Sequence, residues 1–197
     1  MAAGLPRPTR TAPLEAPGFL GRILARRFED GSVSRVRIVE VEAYEPDDPA
    51  SHSYRGPTPR NAAMFGPAGH LYVYVAYGVH ACMNVTTGPL GHGSAVLLRA
   101  AEPLDGLAAM RERRPSVPDA DLCRGPGRLA MALGVDRSMN GLDLFEDGRI
   151  WLEPGAPLPT ASIGTGSRIG IRHGTTHPWR FWERGSRFVS GPRRLSR

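Results

Sequence analysis

Residues 71–84 read LYVYVAYGVHACMN, and the way this run pairs with itself decides how the rest of the chain is arranged. Two apolar, β-branched and aromatic runs flank Tyr77-Gly78, the composition of a β-hairpin. Two registers are open. A two-residue turn at Tyr77-Gly78 pairs Tyr74 with Ala81 and sends Cys82 and Asn84 to the opposite face; a three-residue turn over 77–79 pairs Tyr74 with Cys82 and Tyr72 with Asn84. On local pattern alone the hairpin is either a tyrosine-rich piece of core or an aromatic functional surface.

The flanking sequence bears on that choice. Upstream, residues 21–28 and 33–44 form a first hairpin around the turn Glu29-Asp30-Gly31-Ser32. Its second strand ends in VEVEAY, where a period of two puts Val39, Val41 and Ala43 on one face and Glu40, Glu42 and Tyr44 on the other. That second face is either solvated or turns one carboxylate into a pocket as a general base, with Tyr44 as an aromatic wall. Residues 45–53 are a loop by their prolines and small polar residues. Glu42, Asp47, Asp48 and His52 lack a second histidine and regular ligand spacing, so no metal site is expected.

Residues 56–65 read as a turn entering a short helix, with Thr58 as N-cap and Pro59 at the first helical position. Backbone amides at such an entry, with Arg60 and Asn61, suit a phosphate. Downstream, SAVLLRAA at 94–101 is a buried-type strand with one exception, Arg99, which requires a carboxylate or a polar pocket. Glu102-Pro103 is expected to end the strand, and residues 104–113 to form an amphipathic helix. Gly125-Pro126-Gly127-Arg128 opens a further helix that stops at Gly134, with Arg124 and Arg128 near its entry. Strands are expected at 151–153, 167–172 and 178–182. Residues 1–13 read as a flexible leader, residues 14–197 as one domain, and the last seven residues as a basic tail.

Composition narrows the chemistry. The chain has 197 residues, a net charge of +6 and a pI near 10.1, which favours a polyanionic partner. All 25 basic residues are arginine. Without lysine there is no side-chain amine for a Schiff base and no P-loop lysine for a nucleotide phosphate. No apolar run approaches the length of a membrane span, and no secretory signal is evident. Cys82 and Cys123 are too few for a disulfide framework, which points to a reducing cytoplasm.

The segments VEVEAY, ASHS, GPTPRNAAMF, LYVYVAYGVHACMNV, AVLLRAAEPLDGLAAM and CRGPGRLAMALG, in this order, resemble the alkyladenine (3-methyladenine) DNA glycosylase family over about residues 20–189. The resemblance implies an α+β domain around a curved, mainly antiparallel sheet. It implies a repair enzyme, and with the arginine-without-lysine usage of a G+C-rich bacterial genome the expected place is the bacterial cytoplasm, nucleoid-associated when bound to DNA. Such an enzyme removes damaged purines such as 3-methyladenine and hypoxanthine from double-stranded DNA, with no cofactor and as a monomer. By motif position Glu42 would activate the attacking water, and Arg99 would hold Glu42 and that water. Tyr44, His52 and Tyr74 would sandwich the extruded base, and Asn84 would crowd the amino group of guanine. Tyr77 would wedge into the duplex, while Arg60, Asn61 and Arg128 would meet the DNA backbone. Val79 and His80 depart from the larger Met and the Tyr common at those family positions, which implies less extensive contact at the tip.

Elementary chemistry gives this scheme an independent basis. A base inside a duplex must be extruded before it can react, at a cost of a few kcal/mol. An aromatic wedge fills the gap, and stacking returns roughly 1–3 kcal/mol on the extruded base. A carboxylate both stabilises the oxocarbenium-like sugar and activates water. Only the three-residue turn gathers Tyr74 and Asn84 in one pocket with Tyr77 at the tip, so that register is the expected one. The competing classes are a non-catalytic nucleic-acid-binding module, against which Glu42 and Arg99 argue, and a metal-dependent nuclease, which needs more carboxylates at ligand spacing.

Overall fold

The β-branched and aromatic runs, each bounded by glycine, proline or short polar turns, become strands β1 (Ile23–Arg27), β2 (Val33–Tyr44), β3 (Leu71–Ala76), β4 (His80–Thr87), β5 (Ser94–Asp105), β6 (Ile150–Glu153), β7 (Ile163–Gly166) and β8 (Arg180–Glu183). A computed structural model describes residues 4–76 and 78–191. Among these the strands form one curled antiparallel sheet in the order β3-β4-β5-β2-β1-β6, with β8 on β2 and β7 on β8. Three short helices, α1 (Ala12–Glu15), α2 (Leu107–Arg113) and α3 (Pro126–Ala132), accompany it. This is the expected α+β fold.

The core lies between the sheet and the helices. Phe19, Leu24, Ile38, Leu71, Met83, Leu98, Leu129 and Leu133 are all fully buried within it. Gly125 precedes α3, Pro126 begins it, and Gly134 follows at a φ of +59°, as the Gly-Pro entry and glycine stop require. No helix among the described residues is long and apolar enough to cross a membrane.

The central hairpin takes the three-residue turn: Tyr74 pairs with Cys82 and Tyr72 with Asn84. Tyr77 itself lies outside the described residues, as do residues 1–3 and 192–197, which include most of the basic tail.

Elsewhere the structure corrects the reading. β5 runs through Pro103 to Asp105, with Pro103 opposite Val36. β4 accompanies β5 only from Ser94 to Leu97, so the far end of β5 is an edge that tolerates a residue without an N–H. Helix α2 accordingly begins at Leu107. The strand expected at 167–172 lies earlier, at Ile163–Gly166, and residues 167–172 form a loop.

Thr58 caps no helix. The chain turns into a 3₁₀ segment, Ala62–Phe65, and Asn61 fastens the turn through its carbonyl oxygen and amide. The segment read as a loose leader packs on the domain from Arg7 onward. Arg7 donates to Asp143, the Pro8 carbonyl accepts from Gly88 N–H, and Ala12 is fully buried.

One irregularity decides where the charges go. Along β2 and β5 the pairing runs Ile38 with Ala101, Glu40 with Ala100 and Val41 with Leu98, so Val39 and Arg99 are each an extra residue. Ile38, Val41 and Ala43 consequently share the main core, while Val39 packs with Ala100, Trp182, Phe188 and Val189. Val39 therefore does not share a face with Val41 and Ala43, as strict alternation predicts.

Candidate active site

The end of β2, the β3–β4 hairpin, β5 and the loop at 167–174 surround a cavity of about 620 Å³. Glu42, Tyr44, His52, Arg60, Tyr74, Asn84 and Arg99, seven residues chosen from sequence, all line it. Neighbouring antiparallel strands bring Glu42, Tyr44, Tyr74, Asn84 and Arg99 together, with Asn84 and Glu42 paired to Leu97 from the two sides of β5, while His52 and Arg60 come from the loop between β2 and β3.

Glu42 is fully buried at the floor. Its Oε1 accepts from Ile169 N–H at 2.8 Å and lies 3.3 Å from Arg99 Nη1, while Oε2 accepts from the Tyr44 hydroxyl at 2.9 Å. A carboxylate oxygen carries two lone pairs, so Oε2 keeps capacity for one more donor. Burial raises the Glu42 carboxyl above the ordinary glutamate value, and Arg99, Ile169 N–H and the Tyr44 hydroxyl oppose that rise.

Arg99 meets its requirement for carboxylates twice. Its Nε lies 3.3 Å from Glu40 Oε1 and donates to Ser190 Oγ at 3.0 Å. Glu40, also fully buried, accepts from Arg180 Nε at 2.6 Å and from Ser190 N–H at 2.7 Å. Two carboxylates and two guanidiniums thus form a neutral, hydrogen-bonded floor, the condition under which ions persist in a dry interior. The Glu40–Glu42 face is not solvated.

The walls are aromatic. His52 meets Tyr74 edge to face, with centroids 4.4 Å apart, and its Nδ1 shares a 2.9 Å hydrogen bond with the Tyr72 hydroxyl. Burial, with a smaller contribution from Arg60, lowers the His52 imidazolium value even though the ring faces the open mouth. Burial raises Tyr72 to about 12 and Tyr74 beyond it. All three groups are therefore neutral near pH 7, a suitable surface for a stacked base. The Asn84 amide nitrogen donates to the Tyr72 carbonyl at 3.1 Å, which leaves its carbonyl end uncommitted to that contact.

Not every expected contact residue reaches solvent. Asn61 is buried, donating to the carbonyls of His52 and Gly56 and accepting from Thr58, so it builds the loop that carries His52. Arg124 is committed to Asp121 and to the carbonyls of Val189 and Gly191. Arg60 and Arg128 remain exposed, Arg60 at the cavity and Arg128 on α3, next to Pro126 and Gly127.

Sequence reasoning missed Arg180, Ser190, Arg168 and the Ile169 amide, and it named Glu40 and Asp48 without their ion-pair partners. The two buried arginines carried a signal in hindsight, each sitting inside an otherwise apolar or small-residue run. A backbone N–H carries none. Of the acidic and histidine residues weighed as ligands, Asp48 is paired with Arg168, Glu42 with Arg99, and His52 with Tyr72.

Comparison with known proteins identifies the family. The family model described as methylpurine-DNA glycosylase matches residues 8–187. The chain belongs to that family. It is a DNA glycosylase, a hydrolase of DNA repair with DNA as its partner. A relative from Burkholderia lata, provisionally named 3-methyladenine DNA glycosylase, is 52% identical over 93% of this chain and 88% of its own length. Relatives with the same provisional name from Nocardia farcinica and Streptomyces avermitilis are each 50% identical, over 93% and 85% of this chain and 90% and 80% of their own lengths. For a methylpurine-DNA glycosylase, an aromatic cavity with a buried carboxylate at its floor is the feature that calls for a chemical account.

Proposed function

We propose that this enzyme extrudes damaged purines, 3-methyladenine and hypoxanthine among them, from duplex DNA and hydrolyses the N-glycosidic bond with water. The observation that carries the reading is the Glu42 carboxylate, fully buried beneath aromatic walls, held by two hydrogen bonds and the Arg99 ion pair, with acceptor capacity to spare on Oε2. The provisional names of the relatives support alkylated purines as the substrate class.

In this scheme Tyr44, His52 and Tyr74 hold the extruded base, and Asn84 crowds the position of guanine's amino group. Tyr77, outside the described residues, fills the vacated stack, and Arg60 and Arg128 meet phosphates. Glu42 accepts a proton from water as the water oxygen bonds to C1′. The bond to the purine nitrogen breaks, and its electron pair leaves with the base. A methylated purine is cationic, so those electrons neutralise it; hypoxanthine takes up a proton as it leaves. The product is an abasic site with a hydroxyl at C1′. A raised Glu42 value makes it a better base than an exposed carboxylate, Arg99 opposes that rise and so favours the ionised form, and the carboxylate itself steadies the developing oxocarbenium ion.

The arginine-only composition supports a monofunctional enzyme. A lyase step uses an amine nucleophile; no lysine is present, and only the chain's own α-amino group could serve. Borohydride trapping is therefore expected to give no covalent DNA adduct.

The deciding experiment incubates the protein with a hypoxanthine-containing duplex, with and without EDTA, beside Glu42→Gln. Base release by the wild type alone, unaffected by EDTA, is the expected result. Binding without release in both proteins would point to a recognition module, and loss with EDTA to a metal-dependent nuclease. Full activity in Glu42→Gln would overturn the assignment of the base.

A further inference from the structure

The loop at 167–174 contributes to the floor through a main-chain atom, the Ile169 N–H on Glu42 Oε1. A loop amide is a mobile donor unless something fixes the peptide plane. The neighbouring residue supplies the anchor. Arg168 is buried, forms a two-oxygen ion pair with buried Asp48, and donates to the carbonyls of Ala43 and Gly174 at 2.9 and 3.1 Å. Its guanidinium lies over two rings, 4.6 Å from the Tyr44 centroid and 5.3 Å from that of Trp179. Trp179 in turn stacks on His177, with centroids 4.1 Å apart and planes 12° off parallel.

One side chain therefore joins three pieces of the cavity. Ala43 and Tyr44 are the end of β2, Asp48 belongs to the loop that carries His52, and Ile169 follows Arg168 directly. The fit is tight: a Cβ on Gly174, whose φ is +62°, would come within 2.4 Å of Asp48 Oδ1 and 2.9 Å of Arg168 Nη2.

We propose that Arg168, clamped by Asp48, is a positioning residue for the hydrolysis, holding the Ile169 N–H on Glu42 and the Tyr44 ring in its stacking plane. The inference rests on the reading of Glu42 as general base and Tyr44 as base-stacking wall. Arg168 touches neither water nor base. It acts through its neighbours. Lysine does not replace it, because a point charge on a flexible stem cannot both fork to a carboxylate and stack on aromatic rings.

The groups that face Glu42 set the direction of the expected pH effect. They are Glu40 and Tyr44 on its own strand, Arg99 on β5 and Tyr74 on β3. Arg180 on β8 reaches it through Glu40, and the Ile169 N–H faces it from the loop. Of these the Ile169 N–H holds the Glu42 value down. Loss of its alignment moves the acid limb of kcat/KM to higher pH, since Glu42 then keeps its proton longer.

The test measures single-turnover base release and its pH profile on a hypoxanthine-containing duplex for wild type, Arg168→Lys, Arg168→Met, Asp48→Asn and Gly174→Ala. Glu42→Gln is the reference for the underlying reading. Displacement of reacting groups by about 1 Å costs on the order of 100-fold. Arg168→Met and Asp48→Asn are expected to lose about 10- to 100-fold in kcat with the acid limb moved up. Arg168→Lys should not rescue them, and Gly174→Ala should move the same limb by less. Lesion-duplex affinity should change much less than kcat. Folded variants that lose thermal stability but keep the wild-type acid limb and kcat would overturn the proposal and leave Arg168 a structural residue. If Arg168→Met does not fold, Gly174→Ala decides: an unmoved acid limb in that variant overturns the proposal. A wild type that excises nothing, or an active Glu42→Gln, would sink the reading of Glu42 instead.

Discussion

The two halves of the cavity are built by different physics. The aromatic half comes from the β3–β4 hairpin, where alternation and one odd-length turn put Tyr72, Tyr74, Cys82 and Asn84 on a common face. The charged half comes from β2, β5, β8, the loop at 167–174 and the segment around Ser190, brought together from positions up to 150 residues apart. In the first half, contacts are local and a side chain's direction follows from its neighbours. In the second, each group is where it is because a buried charge must find its partner. Under the function proposed above, the hairpin serves recognition and the charged floor serves the chemistry.

If that division holds, damage to the floor should abolish chemistry while damage to the hairpin should weaken recognition. The largest expected effect is at Glu42. Glu42→Gln should slow base release by about 10²- to 10⁴-fold, measured under single turnover, with lesion-duplex binding retained. Equal losses in binding and release would erase the distinction between the halves.

Next in size is Glu40→Ala, which leaves Arg99 and Arg180 without the carboxylate they share. Removing one partner of a buried ionic cluster costs about 3–5 kcal/mol, read from denaturant unfolding. A loss below about 1 kcal/mol would mean that the floor is hydrated rather than dry. For the other half, Tyr74→Ala should weaken binding to an abasic-site or lesion duplex by about 1–3 kcal/mol, the worth of a base–aromatic stack. Its single-turnover rate at saturation should fall less than that of Glu42→Gln.

The smallest effect is thermodynamic, and its sign is informative. Burial raises Glu42 in the folded state, so as pH rises the unfolded chain loses this proton first and folding stability declines. The ionised carboxylate is therefore a cost above the folded value, and the cost is absent below the ordinary value of 4.5. Glu42→Gln should then melt at or above the wild-type temperature at pH 8, with the difference fading below about pH 4.5. A variant clearly less stable at pH 8 would show that the Arg99, Tyr44 and Ile169 contacts outweigh desolvation.

Legibility in the sequence followed the same division. The hairpin, the first strand pair, α3 with its glycine stop and the cavity residues on strands were readable, because period-two alternation and turn chemistry act within a few residues. Pro103 misled because a proline in a strand looks like an end, whereas here the strand is an edge at that point. Asn61 misled because a polar residue beside an arginine at a turn looks like a ligand contact, yet its four bonding positions are consumed in folding the loop.

By itself, then, the sequence determined that the chain is a basic α+β domain with an aromatic hairpin, whose three-residue turn is the expected one of two open registers. It also determined that a carboxylate strand and an arginine strand belong to one site and that no lysine chemistry is available. Tertiary structure alone decided that Val39 and Arg99 are bulged out of their ladders, that Glu40 lies in the dry floor, and that Arg168 reaches Asp48. The reason is physical. Side-chain alternation and turn preference are properties of neighbours along the chain, whereas the pairing of buried charges and the aim of a loop amide depend on what the finished fold places opposite them.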